Sequence, residues 1–376
     1  MRNVLAALIV AILPGVAAAE PVQLGAVFNA TGSQAAFDRP SLQAAELAVR
    51  QANEAGKGPV DLVVADPAGE VAKAASSTAA MLEAHPEVLA AFGLSDTDMV
   101  LAAAPEAAKR GRVFLTTGAT SPKLPAEVPE WLFLACFGDN VQAAAAAEFA
   151  YGSLGARSVA IVYNAATEYT RLLQGYFRER FEGLGGTVAA SRSYDATDGQ
   201  AAAIQGLAAA DAVFLAAQVP AEAAAGIAAL RAAGFRGPIL GGDGFDGQDV
   251  WAAHPEIDGA YFTTHVYLGA DNPDPAVRAF DAAYREAFDG AAPDGFAALS
   301  YDAVGLLLAA IDKAADTTPD GLRQALAGLS GYRGVTGPIA YEGGARIPRK
   351  SVAIIRIEDG ALHLAREVLP DQVPPP

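Results

Sequence analysis

Two α/β domains, each a doubly wound parallel sheet with helices on both faces, are what this sequence predicts. Three observations carry the prediction. Short apolar runs alternate with longer amphipathic runs, the pattern of βαβ units. The alternation proceeds through one series, breaks near Gly138-Asp139-Asn140, and starts again. The chain has 376 residues, 52% hydrophobic and 18% charged, enough for two domains with full cores and too apolar for disorder.

The first series opens with a strand over Val22–Phe28 and a helix over Ser41–Glu54, just after Pro40. Val60–Ala65 is rich in β-branched residues and ends at Asp66-Pro67, which a strand cannot pass easily. Glu70–Glu83 has helical periodicity. Val88–Phe92 is a strand ended by Gly93, Thr97–Lys109 a helix, and Val113–Thr116 a strand ending at Thr117-Gly118. Trp131–Cys136 reads as one more strand.

The second series repeats the rhythm. Strands are expected over Ser158–Tyr163, Thr187–Ser191, Ala212–Ala216, Pro238–Leu240 and Ala260–Thr264. Helices fall between them over Tyr169–Glu182, Gly199–Ala208 and Ala221–Ala233. The tail departs from the pattern, with helices over Pro275–Phe288, Phe296–Ala314 and Pro319–Ala327. Pro338–Tyr341, Ser351–Ile357 and Ala361–Arg366 follow as hairpin-like antiparallel strands, with Gly343-Gly344 and Glu358-Asp359-Gly360 as turns. Alanine clusters such as Ala143–Ala147 are helix formers and carry no chemistry.

The N-terminus reads as an export signal. Arg2 is followed by the apolar run Val4–Leu13, too short to span a bilayer, and by the small-residue site Ala17-Ala18-Ala19. Residues 1–19 are therefore expected to be removed after Ala19, leaving a soluble protein outside the cytoplasm, most simply in a bacterial periplasm. No later stretch is expected to reach the ~20 apolar residues that a membrane span needs.

Charge and composition exclude several function classes. Against 26 basic residues stand 43 acidic ones, a formal charge of −17. Nucleic acid and anionic membrane are polyanions and would be repelled. One cysteine, Cys136, permits no internal disulfide and no multi-cysteine metal site. It falls inside an apolar strand and reads as core. The four histidines, His85, His254, His265 and His363, include no pair at metal-ligand spacing. No G-x-S-x-G elbow or H-E-x-x-H helix is present. Gly242-Asp243-Gly244-Phe245-Asp246-Gly247 matches G-x-G-x-x-G only in form: it sits in the wrong βα unit, with aspartates where a pyrophosphate would lie. No catalytic residue, cofactor or metal is assigned.

Ligands of open α/β sheets bind beyond the carboxyl ends of the strands. In the first series those ends carry Asn29 to Phe37, Gly93-Leu94-Ser95-Asp96-Thr97, and Thr117 to Pro122. Thr97 and Ser95 stand where helix N–H groups favour an anion, and Thr120 follows a glycine that permits close backbone approach. Together they suit a carboxylate; the same residues also suit a helix cap and a turn. In the second series the ends carry Tyr169, Gln218-Val219-Pro220 and Gly242-Asp243-Gly244. Asp243, an anion between glycines, suits an ammonium, and equally a turn.

Several segments, in their order and spacing, resemble one family. They are Gly25-Ala26-Val27 with Thr31-Gly32, Ala65-Asp66-Pro67, Gly93 to Thr97, and above all Gly118-Ala119-Thr120-Ser121-Pro122-Lys123-Leu124. Ser300-Tyr301-Asp302-Ala303-Val304 and Gly334-Val335-Thr336-Gly337-Pro338 add to them. The chain resembles the type I periplasmic solute-binding proteins, in the leucine/isoleucine/valine-binding branch of ABC importer receptors. The resemblance implies two lobes joined by three crossings: residues 20–138 plus 267–336, and 139–266 plus 337–376. It implies that Thr97 and the Ala119-Thr120 segment, beside Ser95, hold a ligand carboxylate. It implies an ammonium at Asp243, a cover at Phe37, and closure by Tyr169, with Gln218 at the ligand side chain. The implied ligand is an α-amino acid, branched-chain or otherwise neutral. The implied partners are permease subunits, and the implied state a monomer.

The sequence departs from that pattern in three places. The disulfide that staples the first lobe of some members is absent, its positions corresponding to Ala65 and Asp96. No aromatic stands near Gln218-Val219. Asp243 is one methylene shorter than the glutamate often found there. Alternatives are a receptor for an aromatic carboxylate or amide, a sensory protein presenting its ligand to a membrane receptor, and an exported hydrolase.

Overall fold

The computed structural model describes residues 21–376, apart from Ala196, Ala208 and Glu342. The expected signal segment and its cleavage site lie outside the described residues. The first series runs β1 (Val22–Val27), α1 (Ala35–Glu54), β2 (Val60–Ala65), α2 (Val71–Ala84), β3 (Ala90–Gly93), α3 (Thr97–Lys109), β4 (Val113–Thr116), α4 (Leu124–Glu127) and β5 (Leu132–Leu134). These strands form one sheet in the order β2-β1-β3-β4-β5, every pairing parallel. The order reverses between β1 and β3, so a crevice opens beyond the carboxyl ends of those two strands.

The second series runs α5 (Asp139–Glu148), β6 (Ser158–Asn164), α6 (Glu168–Gly183), β7 (Thr187–Tyr194), α7 (Thr197–Ala203), β8 (Ala212–Ala216), α8 (Pro220–Ala232), β9 (Ile239–Gly241), α9 (Gln248–Ala252) and β10 (Ala260–Thr264). The tail supplies α10 (Pro275–Ala287), α11 (Gly295–Lys313), α12 (Pro319–Ala327), β11 (Tyr332–Gly334), β12 (Gly337–Ile339), β13 (Val352–Glu358) and β14 (Ala361–Val368). The second sheet reads β14-β13-β10-β9-β8-β6-β7. Its β7-β6-β8-β9-β10 part repeats the topology of the first sheet, with the β13–β14 hairpin added antiparallel on β10. Two doubly wound α/β lobes result, as the sequence predicts.

Each sheet is buried on both faces. Phe92, Phe114 and Phe133 fill the first core against Leu299 and Leu307 of α11. In the second lobe Phe262, Ile227 and Trp251 pack one face, and Phe177 stacks on Phe214 at 3.9 Å on the other. Each such side chain contributes about 1.5–3 kcal/mol relative to exposure. Helix α11 has the length and hydropathy to cross a membrane, contrary to the expectation of no such stretch. It lies instead in the first core, where its apolar faces are covered on several sides.

The structure departs from the expected elements where tertiary contacts outweigh local signals. Helix α1 begins at Ala35, ahead of Pro40 and not after it. Phe37 and Asp38 N–H groups both donate to Gln34 O, so the first turn closes before the proline is reached. Helix α5 contains the Ala143–Ala147 cluster read as helix-forming, but begins earlier, at Asp139, in the stretch read as the break between the series. The segment beginning at Gly337 pairs with Tyr332–Gly334 and not with the later strands. Ile339 and Tyr341 pack into the first core, and Tyr341 Oη donates to Leu134 O at 2.8 Å, although residue 337 was expected to open the second lobe.

Candidate functional site

A crevice between the lobes is lined by Gln34, Phe37, Ser95, Gly118, Thr120 and Phe296 from the first and by Tyr169, Gln218, Asp243 and Gly244 from the second. The lining comes from the starts of α1, α6 and α11 and the loops after β3, β4, β8 and β9. These are the carboxyl ends of strands and the helix N-termini that follow them.

On the first lobe Asp38 lies buried beneath the lining. Its carboxylate accepts from Ser95 Oγ at 2.6 Å, Asn29 N at 2.9 Å and Asn29 Nδ2 at 2.6 Å. Burial pushes its pKa up to about 6, against the pull of those hydrogen bonds. Asp96 caps α3, its Oδ1 accepting from Met99 N at 2.9 Å, while its Oδ2 accepts from Gln218 Nε2 of the other lobe at 2.9 Å. Burial raises this carboxyl too, to about 6. A Cβ at Gly118 would stand 2.5 Å from the Phe296 ring, which would have to shift to admit it. Phe296 in turn packs against Phe37, with centroids 4.5 Å apart.

On the second lobe Asp243 begins a single 3-10 turn after β9. Its Oδ1 accepts from Gln142 Nε2 at 2.9 Å, and its Oδ2 faces His265 Nε2 at 3.1 Å. Gln142 is itself fixed, since its Oε1 accepts from Asp243 N and from Thr263 Oγ1. Tyr169 Oη accepts from Gly244 N at 3.0 Å. Asp139, at the start of α5, donates its N–H to Thr120 O at 2.7 Å and accepts from Gln142 Nε2 at 3.0 Å. Burial first, and then the charge of Asp243, hold the Asp139 carboxyl well above the usual range. Desolvation lowers the pKa of His265 more than Asp243 raises it, which favours the neutral imidazole.

Six of the eight expected residues meet in this crevice: Phe37, Ser95, Thr120, Tyr169, Gln218 and Asp243. Thr97 and Ala119 are buried beside it and do not line it. Thr97 opens α3 with its hydroxyl unpartnered, and Ala119 O accepts from Cys136 Sγ at 3.4 Å. Phe296, Gln34, Gln142 and His265 were missed. Phe296 stands at a helix start and Gln34 in a post-strand segment, so each carried the positional signal used for the others. Gln142 directly precedes the alanine cluster that was read as helix-forming without chemistry, and His265 carried no local signal. Among the described residues no cluster of three or more His, Cys, Asp or Glu side chains could hold a metal.

Two α/β lobes facing each other across a polar crevice define a solute-binding protein. The family model described as periplasmic binding protein matches residues 21–361, and the chain belongs to that family. Membership implies a location outside the cytoplasm. LivJ of Streptococcus pneumoniae, a branched-chain amino acid transporter substrate-binding protein in complex with isoleucine, is 27% identical, with a TM-score of 0.84 over 93% of this chain and 100% of that one. The leucine-binding protein LivK of Thermotoga maritima is 27% identical, with a TM-score of 0.84 over 93% of this chain and 99% of that one. An ABC-transporter solute-binding protein of R. palustris in complex with benzoate shares the fold at 20% identity, with a TM-score of 0.81 over 93% of this chain and 97% of that one. No curated protein matches the chain.

Proposed function

We propose that the chain is the exported receptor of an ABC importer and captures an α-amino acid by closing its lobes. The observation that carries this is one crevice with opposite chemistry on its two walls. Thr120 stands on the first lobe, with the Ser95 hydroxyl beside it held by Asp38, and the Asp243 carboxylate stands on the second. A zwitterion places its carboxylate on the first wall and its ammonium on the second. The solute binds the first lobe, and Asp243 and Tyr169 then engage it. The closed state is favoured by contacts that the open state lacks. Phe37 and Phe296 cover the site; Thr97 and Ala119 support the carboxylate wall from behind.

The two cores described above are the lobes that move. Residues 1–19 are the export signal, cleaved after Ala19. The mature receptor works as a monomer, presents its closed form to permease subunits, and carries out no reaction. Calorimetric titration of unfolded and refolded protein with the amino acids tests the proposal. A ligand present at ~100 times its Kd also adds about 2.7 kcal/mol of stability, visible as a thermal shift.

One observation favours a second reading. His265 already faces Asp243 at 3.1 Å, so that carboxylate has a donor even when the solute brings no amine. A receptor for a carboxylate or amide without an amino group would keep the first wall and leave the second as it stands. Binding of such solutes, with no response to any amino acid, would select it.

A further inference from the structure

Two glutamines line the crevice from opposite lobes, Gln34 just ahead of α1 and Gln218 beyond β8. In each, the side-chain carbonyl oxygen is buried and has no hydrogen-bond partner. The Gln34 residue as a whole is 8% exposed. The amide of Gln218 is held in one orientation, because its Nε2 donates to Asp96 Oδ2 at 2.9 Å. A carboxylate only accepts, so the amide nitrogen must face Asp96 and the oxygen must face away. Asp96 cannot turn to follow, because Met99 N holds its other oxygen at the helix cap. Gln218 therefore presents an acceptor to the crevice, and the unpartnered Gln34 Oε1 is a second one on the facing lobe.

A buried acceptor left without a donor costs about 1–3 kcal/mol. An aliphatic side chain supplies no donor and would leave both oxygens unpaired. The lining also holds no Leu, Ile, Val or Met among the described residues; its apolar surface is the rings of Phe37, Phe296 and Tyr169. Nor does it hold a Lys or Arg among them. A distal carboxylate would find only acceptors, with Asp96 close behind. Each Asp96 oxygen already accepts one hydrogen bond, from Met99 N and Gln218 Nε2, so a distal cation would compete for the remaining lone pairs of a carboxylate set behind Gln218.

We propose that the solute ends in an uncharged group bearing N–H donors, of which a carboxamide is the simplest, and that Gln34 and Gln218 select it over an aliphatic side chain. The proposal rests on the amino-acid reading above and narrows it. A site built to hydrogen-bond a polar group rejects the analogue that lacks it far more strongly than an apolar pocket rejects an extra methylene.

The test is calorimetric titration of the refolded chain with L-glutamine, L-leucine, L-glutamate and L-arginine. Glutamine is expected to bind at least ~10-fold tighter than leucine, with glutamate and arginine weaker still. Gln34→Leu is expected to weaken glutamine ~10-fold or more and leucine by less, and Gln218→Leu, which also removes the hydrogen bond to Asp96 across the lobes, is expected to weaken both ligands but glutamine by ~10-fold more than leucine. Leucine binding tighter than glutamine in the unaltered protein overturns the proposal, and that ranking needs no variant to fold. Arginine or glutamate binding tightest overturns it as well. Equal weakening of glutamine and leucine in both variants removes the glutamines as selectors. Failure of every amino acid to bind sinks the amino-acid reading itself, whereas tight leucine with weak glutamine sinks only this one.

Discussion

His265 Nε2 lies 3.1 Å from Asp243 Oδ2, and both side chains are buried. Burial favours the neutral imidazole, which donates a hydrogen bond and brings no compensating charge. Gln142, the other donor to this carboxylate, is neutral as well. Asp243 is thus held by hydrogen bonds from Gln142 and His265 and has no cationic side chain among these partners.

Asp243→Asn removes that charge and keeps the shape. Amino-acid affinity should fall by at least ~2 kcal/mol, the scale of breaking a buried charge pair. Calorimetry on the refolded variant measures it, and an unchanged Kd would take Asp243 out of the site.

Gly118→Ala places a Cβ 2.5 Å from the Phe296 ring and 3.0 Å from Ser95 Cβ. The ring has to move, and it belongs to the lining. Overpacking of this kind costs about 1–3 kcal/mol. A lower Tm together with weaker ligand binding is the expected pair of results; full affinity would mean that the position of Phe296 is not critical.

Asp246 has its carboxyl pushed up to about 6, first by burial. Its folded pKa is above the unfolded value, so the stability it contributes is present below pH 4 and lost as pH rises through 6. The side chain accepts from Thr264 Oγ1 and Gly295 N, which oppose the rise, while the charge of Asp243 adds to it. An asparagine can keep both acceptor bonds without the charge. Asp246→Asn should raise Tm at pH 7 and flatten its fall between pH 4 and 6. A variant less stable than the parent at pH 7 contradicts this.

Lys350 is buried where the chain passes between lobes, its Nζ donating to Thr336 Oγ1 and, at 3.4 Å, to Ala135 O. Burial lowers its pKa to about 8, against the attraction of Asp302. Between pH 8 and the unfolded value the unfolded chain binds more protons, so this residue makes stability rise with pH across that range. Lys350→Met should abolish its share of the rise, read as Tm measured from pH 7 to 10; an unaltered slope would assign the rise to other groups.

Much of the fold was legible because its signals are local. Thr97–Lys109 and Ala260–Thr264 stand where periodicity and turn residues put them. Asp243 and Thr120 were legible for a related reason: the loop after a strand is next to it in sequence, so topology class alone brings it to the binding edge. Helix α1 was misjudged at its start because Pro40 is a strong local stop signal. Inside a packed helix, the buried side chains around Phe37 and Asp38 outweigh it.

By itself, then, the sequence determined two doubly wound lobes and the chemical character of their facing edges. Only the tertiary structure decided which residues meet. Gln218 reaches Asp96 across 122 positions, and Gln142 reaches Asp243 across 101. His265 faces Asp243 from the far side of β10, where nothing in its own neighbourhood marks it. Strand and helix signals arise from neighbours a few residues apart and are written in local periodicity. A hydrogen bond between distant loops depends on sheet order and on how the lobes close, and no short window of sequence contains either.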